Sequence, residues 1–366
     1  MLGKVTGWFT VLALTTLLPT SATCQEERVA ARHFRMGFTG FPHDISIEAV
    51  IQAREFSRQN ADIILHHIEG VPWAELLENK PFSNELMNEW KGKKEATPKG
   101  GKVYLAISPG RGDLKPGEKS LPFPKELVGK SYDDPVVKKA YLSYCRRMVE
   151  FFQPDYLGIG IEVNEIYQVG PDKWRAYAAL HRHVYQELKK DHPDLSIFAS
   201  FTLHGMLNEI GRKREAMLTA FGEIMPFNDL AAVSFYPFIR GGTTDIEGCL
   251  RWLTDHFDRF KKPYAFVEVG EPAERLRIPS SGQIIDGTLQ KQAAFYETLL
   301  AFARDHEVRF VISYLHRDYD ALWEKIKGSS PEAFMVWRDC GLLDQDGKAR
   351  PAYTVWKRYF EVRLAR

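Results

Sequence analysis

Cysteine is scarce: four residues in 366, at positions 24, 145, 249 and 340, are too few and too widely spaced to staple a fold or to carry zinc-ligand spacing. No Asn-x-Ser/Thr acceptor occurs, which favours a bacterial exported protein over a glycosylated eukaryotic one. Charge of one sign is lacking as well. Lys plus Arg number 49 against 48 for Asp plus Glu, with no basic block, so the phosphate-neutralising face of a nucleic-acid binder is absent. There is no Gly-x-Ser-x-Gly elbow, which argues against a serine esterase. The stretch "MGFTGFPHD" after the first apolar run lacks both dinucleotide-binding glycine spacing and the His-x-His of metal-dependent barrel hydrolases. His66 and His67 are strand neighbours facing opposite sides, and His181 and His183 diverge on a helix. Neither a metal nor a cofactor is expected.

What is present begins with an apolar stretch from Trp8 to Leu18, preceded by Lys4 and followed by Pro19 and small residues ending at Ala22. That is the layout of a secretory signal peptide and is too short for a comfortable membrane span. The expected organisation is a signal peptide over 1–23, a linker over 24–32 and one domain over 33–366, with a secreted or periplasmic destination. Cys24 offers a second reading as the lipid-bearing residue of a lipoprotein, although the Ser21-Ala22-Thr23 before it fits that signal poorly. Nothing in the sequence speaks to the oligomeric state.

From residue 33 short apolar runs alternate with amphipathic ones. "HFRMGF" (33–38), "ADIILHH" (61–67), "KVYLAIS" (102–108), "DYLGIGI" (155–161), "LSIFASF" (195–201), "LAAVSFY" (230–236), "PYAFVEV" (263–269) and "VRFVISYL" (308–315) read as strands. Helical periodicity marks 133–152, 171–191, 246–262, 289–305 and 353–362. Near-continuous apolar strands joined through helices imply parallel pairing with both faces covered. Eight repeats predict an α/β fold, a single-domain (β/α)8 TIM barrel, in preference to an open doubly wound sheet.

The active site of such a barrel gathers at the carboxyl ends of its strands. There the sequence places Thr39, His43 and Asp44, then His66, His67 and Glu69, then Ser108, Arg111 and Asp113, then Asn164 and Glu165. Thr202 and His204, Tyr236, Glu268, and finally His316, Arg317 and Asp318 follow. Any one of these could simply cap a helix. Two glutamates across the mouth, from the fourth and seventh strands, suit retaining glycoside hydrolysis, in which an acid and a nucleophile stand ~5–5.5 Å apart.

With "EVNE" on the fourth strand and "VEVGEP" on the seventh, the chain resembles the large clan of retaining (β/α)8 glycoside hydrolases, which includes endo-β-1,4-galactanases, cellulase-like enzymes and β-xylosidases. The resemblance implies Glu165 as acid/base, Asn164 as the amide that binds the sugar 2-hydroxyl, Glu268 as nucleophile and Tyr236, in "SFYPF", as its hydrogen-bond donor. It implies a carbohydrate substrate. Glu162 is expected to point into the mouth as a charge partner. The clan's early-strand arginine is missing, with Arg111 or Arg35 as substitutes. Its eighth-strand tryptophan is replaced by Tyr314, Leu315 and His316, with Trp323, Trp337 or Trp73 available from loops. Arg111 and His316 thus complete the substrate-binding set, and Glu271 is a less favoured nucleophile because Gly270 and Pro272 turn the chain before it. A sugar-binding barrel without turnover is the rival reading. The signal-peptide expectation has a direct check: mass spectrometry of exported protein should find the mature N-terminus between Ala22 and Glu26, and an intact Met1 would contradict it.

Overall fold

The computed structural model describes residues 31–110, 114, 121, 123–209, 211–239 and 243–365. The leader, Cys24 and Arg111 lie outside them. The strands are β1 (Arg35–Phe38), β2 (Ile63–Ile68), β3 (Lys102–Ile107), β4 (Tyr156–Gly158), β5 (Ser196–Phe198), β6 (Ser200–Thr202), β7 (Ala231–Phe235), β8 (Tyr264–Val269), a small hairpin of β9 (Arg275–Arg277) with β10 (Ile284–Asp286), and β11 (Val308–Ser313). Nine of them form one sheet in the order β5-β4-β3-β2-β1-β11-β8-β7-β6, and every pair in it is parallel. The two ends of that order, β5 and β6, are separated in the chain by Ala199 alone, so they are halves of one stave and the sheet closes on itself. The side-chain amide of Asn228 fills the break: Ala199 N–H donates to its Oδ1 at 3.1 Å, and its Nδ2 donates to Ala199 O at 3.3 Å. Eight staves result, as the sequence pattern predicts.

Around them run α1 (Ile47–Asn60), α2 (Trp73–Leu77), α3 (Asn84–Glu95), α4 (Pro135–Phe152), α5 (Asn164–Val169), α6 (Pro171–Asp191), α7 (Leu203–Leu207), α8 (Gly211–Ile224), α9 (Ile246–Phe257), α10 (Leu289–Asp305), α11 (Asp320–Ile326) and α12 (Pro351–Phe360). Their starts are written in the sequence: Ser46, Asp134, Asp245 and Thr288 each accept a backbone N–H from the first turn of the helix they precede. Among the described residues no helix is long and apolar enough to cross a membrane.

The alternation of side chains sorts the core into two layers. Ile63, Leu65, Tyr104, Ala106, Phe198, Ala232, Ala265, Val267, Phe310 and Ile312 fill the barrel interior, while the intervening residues join the helices in the outer layer. The glycines of the fourth stave are spacers. A Cβ on Gly158 would stand 3.0 Å from the Tyr104 hydroxyl, and one on Gly160 would collide with the Tyr177 hydroxyl. β4 is correspondingly short, and Asn164 and Glu165 fall on α5, one loop beyond the strand end predicted for them.

After β11 the chain is clamped by Arg350, whose side chain is 3% exposed. Its guanidinium donates to Asp318 Oδ1 at 2.8 Å and to Asp339 O at 3.1 Å, and pairs with Asp318 Oδ2 and Glu274 Oε1 at 2.6 Å each. Removing one member of such a cluster strands a buried charge, so Arg350→Ala should cost about 3–5 kcal/mol in urea unfolding. Adding Asp318→Asn should recover part of that loss; a fully additive double mutant would show that the two are not coupled.

Candidate active site

A single extra residue in β8 makes the site. Val233 pairs with Phe266 but Ser234 pairs with Glu268, so Val267 is bulged out of the ladder with β7. The ladder with β11 skips in the same place, from Val311 with Phe266 to Ser313 with Val269. Strict alternation from the inward Ala265 and Val267 would send Glu268 outward with Phe266. The bulge resets the phase and turns Glu268 to the mouth, the re-aiming that bulges beside active sites perform.

There Glu268, 9% exposed, accepts a hydrogen bond from the Tyr236 hydroxyl at 3.0 Å and meets His67 Nδ1 at 3.4 Å as an ion pair rather than a well-aligned hydrogen bond. Burial works against charge on His67, but the contact with Glu268 and the charges of Glu268 and Glu69 outweigh it and raise its pKa above the ordinary 6.5. Burial first, and the Glu268 charge second, hold the Tyr236 phenol protonated well beyond neutrality, so it serves as a donor.

Glu162 reaches the same place from the fourth stave. Its backbone is left-handed at φ 51°, its N–H donates to Ser200 Oγ at 3.0 Å, and its Oε1 accepts from Ser234 Oγ at 2.6 Å. Below both carboxylates lies Tyr104, whose phenol is held neutral by burial and then by the charges of Glu268 and Glu162.

One wall of the mouth is aromatic. The Trp337 ring stands 4.5 Å from Tyr236, 5.0 Å from Tyr314 and 5.9 Å from Phe238, and Phe41 lies 5.9 Å from Tyr314. Trp337, one of the three loop tryptophans named above, ends a 3-10 turn, Glu332–Trp337, in the chain beyond the eighth stave. Trp73, by contrast, is core beside Tyr141.

Other expected residues lie elsewhere. Asn164 is fully buried; its Nδ2 donates to Thr202 Oγ1 at 2.7 Å and Thr202 O at 3.2 Å, while its Oδ1 accepts from Thr202 N–H at 2.8 Å. Both amide protons are engaged within the scaffold. Glu165, half-buried, sits in the first turn of α5 with its N–H on Glu162 O at 3.0 Å. His316 packs 5.2 Å from Phe56 of α1 and 6.1 Å from His43, and burial drives its pKa down to about 3. Arg35 opens β1 at the amino end of the barrel, away from the mouth. Arg111 lies outside the described residues.

Glu271 is 8% exposed, raised to about 8 by burial against the weaker pull of Lys291, and lines a 420 Å³ cavity with Lys291, Phe295 and Thr298 of α10, apart from Glu268. His66 bonds Thr97 Oγ1 at 2.9 Å on the outer face, opposite His67. Asp318, Asp320 and Asp339 bring carboxylates within 4.8 Å of one another, but Arg350 and Arg338 are paired with them. Sequence reasoning placed His67 at the mouth without giving it a role, and missed Ser234. His67 shares the inward face of β2 with Ile63 and Leu65, whereas Ser234 depends on which residue faces it across the barrel.

Solved structures share this fold. A GH5_18 from Bifidobacterium longum subsp. infantis matches with a TM-score of 0.64 at 14% identity, covering 91% of this chain and 80% of that one. Native xylanase 10B from Thermotoga maritima matches with a TM-score of 0.58 at 13% identity, covering 92% and 96%. A fungal β-1,4-galactanase matches with a TM-score of 0.55 at 15% identity, covering 89% and 94%. The fold is that of TIM-barrel glycoside hydrolases. No protein-family model matches the chain, and no curated protein matches its sequence.

The His67–Glu268 pair carries a pH signature. Because the folded pKa of His67 is raised above 6.5, its contribution is complete below 6.5 and is lost as pH rises through the folded value. The melting-temperature gap between wild type and His67→Gln should therefore be widest below the ordinary imidazole pKa and shrink as pH rises above it and the imidazolium is lost. A gap independent of pH would mean that His67 acts only by packing.

Proposed function

We propose that this chain is an exported retaining glycosidase that cleaves β-linked oligo- or polysaccharide. The observation that carries the reading is Glu268, turned into the barrel mouth by a bulge, where it accepts a hydrogen bond from the Tyr236 hydroxyl and meets the His67 imidazole. An ionised carboxylate so placed is suited to attack an anomeric carbon and form a glycosyl-enzyme. The segment after β4, carrying Glu162 and Glu165, supplies the second carboxyl group that must protonate the leaving oxygen. Trp337 and Tyr314 offer faces on which sugar rings can stack. The names of the structural neighbours support a β-glycosidic bond: one is in complex with Manb1-4GlcNAc, another is a β-1,4-galactanase.

A barrel that binds sugar without cleaving it has the same fold and cleft. Reducing-sugar release on a panel of β-linked polysaccharides separates the two, since a binder shows affinity without release. On the substrate so found, Glu268→Ala should lose about 10³-fold or more in kcat, with activated leaving groups giving no recovery, because no glycosyl-enzyme can form. Retention of wild-type turnover by Glu268→Ala would remove the proposed nucleophile.

A further inference from the structure

We propose that Glu162, rather than Glu165 of the Asn-Glu doublet, is the acid/base partner of Glu268; this rests on the glycosidase reading above. The geometry converges on one strand. Ser234 of β7 is the ladder partner of Glu268 and also donates its hydroxyl to Glu162 Oε1 at 2.6 Å, while Tyr236, two residues further on the same face, donates to Glu268 Oε2 at 3.0 Å. Adjacent strands lie about 4.8 Å apart, so Glu162, held on Ser234, and Glu268, the strand neighbour of Ser234, are brought to the same part of the mouth, as a retaining pair must be. Retaining hydrolysis starts with one carboxyl of such a pair protonated and the other ionised.

The backbone around Glu162 is built to aim it. A left-handed conformation at a non-glycine residue persists only where its surroundings enforce it. Here they do so twice, through Glu162 N–H on Ser200 Oγ at 3.0 Å and Val163 N–H on Ser200 O at 2.9 Å. The doublet itself is turned to another task, because Asn164 anchors the start of α5 to Thr202 at the end of the fifth stave. The electrostatics agree: the phenols of Tyr104 and Tyr236 are both perturbed by the charges of Glu268 and Glu162.

In the first step the bond between the anomeric carbon and the leaving oxygen breaks as Glu268 bonds to that carbon, and the Glu162 proton passes to the departing oxygen. In the second, the Glu162 carboxylate takes a proton from water, whose oxygen bonds to the carbon as Glu268 leaves. No other reactant is required.

Two measurements test this. Carboxyl-carbon NMR of protein labelled in glutamate, with signals assigned by loss in Glu162→Gln, Glu165→Gln and Glu268→Gln, reads which groups sense each other without any substrate. Glu268→Gln should lower the titration midpoint of Glu162 more than that of Glu165; the reverse order overturns the assignment. On dinitrophenyl β-glycosides of the responsive sugar, Glu162→Ala should still attack, stall at the glycosyl-enzyme, and recover turnover with azide to give a β-glycosyl azide. On substrates with poor leaving groups it should fall ~10²–10⁴-fold, with Glu165→Ala staying within about tenfold of wild type. Azide rescue of Glu165→Ala with an unaffected Glu162→Ala would overturn this assignment and leave the glycosidase reading intact. Wild-type protein inactive on every substrate would overturn both.

Discussion

One inserted residue in β8 is the constraint on which the carboxylate-lined mouth depends. A parallel barrel buries both faces of each strand, so every side chain is committed to the interior or to the helical layer. Without the irregularity at Val267, Glu268 would share the outward face of Phe266, among helices, where a carboxylate has no use. With it, Val267 still fills the interior and Glu268 meets Tyr236, His67 and, through Ser234, the Glu162 carboxyl. The same stave thus serves packing below and chemistry above, and the cost of the irregularity falls at the strand end, where little of the ladder remains to be disrupted.

The floor of the site is equally shared between stability and function. Tyr104 stacks at 5.4 Å on Phe198 and lies 5.2 Å from Phe310, which makes it part of the interior core, yet its hydroxyl stands beneath the two carboxylates. Gly158 exists as glycine because that ring needs the space. The roof comes from another source. Trp337 meets Tyr236 edge to face from a loop with no strand to hold it, and the loop is fixed by polar contacts: Tyr319 N–H reaches Arg338 O at 2.8 Å, Arg338 pairs with Asp339, and Arg350 ties Asp318 to the Asp339 and Gly341 carbonyls. A buried ion cluster therefore helps to position the ring that stands beside Tyr236.

The Asn-Glu doublet shows how a short pattern can point to the right region for a different reason. Its asparagine spends its amide on Thr202, closing the fourth stave against the fifth. Its glutamate follows on a helix, whereas Glu162, three residues earlier, is the carboxylate whose oxygen is held on the strand that neighbours Glu268.

The sequence by itself determined the architecture, because burial on both strand faces and amphipathic helices between them leave a periodic record: all eight apolar runs from "HFRMGF" to "VRFVISYL" became staves, with helix starts marked by Ser46, Asp134, Asp245 and Thr288. It also brought Tyr236 and Glu268 together on paper, since both end strands. What only the tertiary structure decided is where phase is broken. A bulge at Val267, a left-handed turn at Glu162 and the break at Ala199 filled by Asn228 have no periodic signature, because each is set by a contact across the barrel rather than by its neighbours in the chain. Likewise His316 and Tyr314, two residues apart, part company only because the chain turns after β11, sending one ring into the mouth and the other against α1.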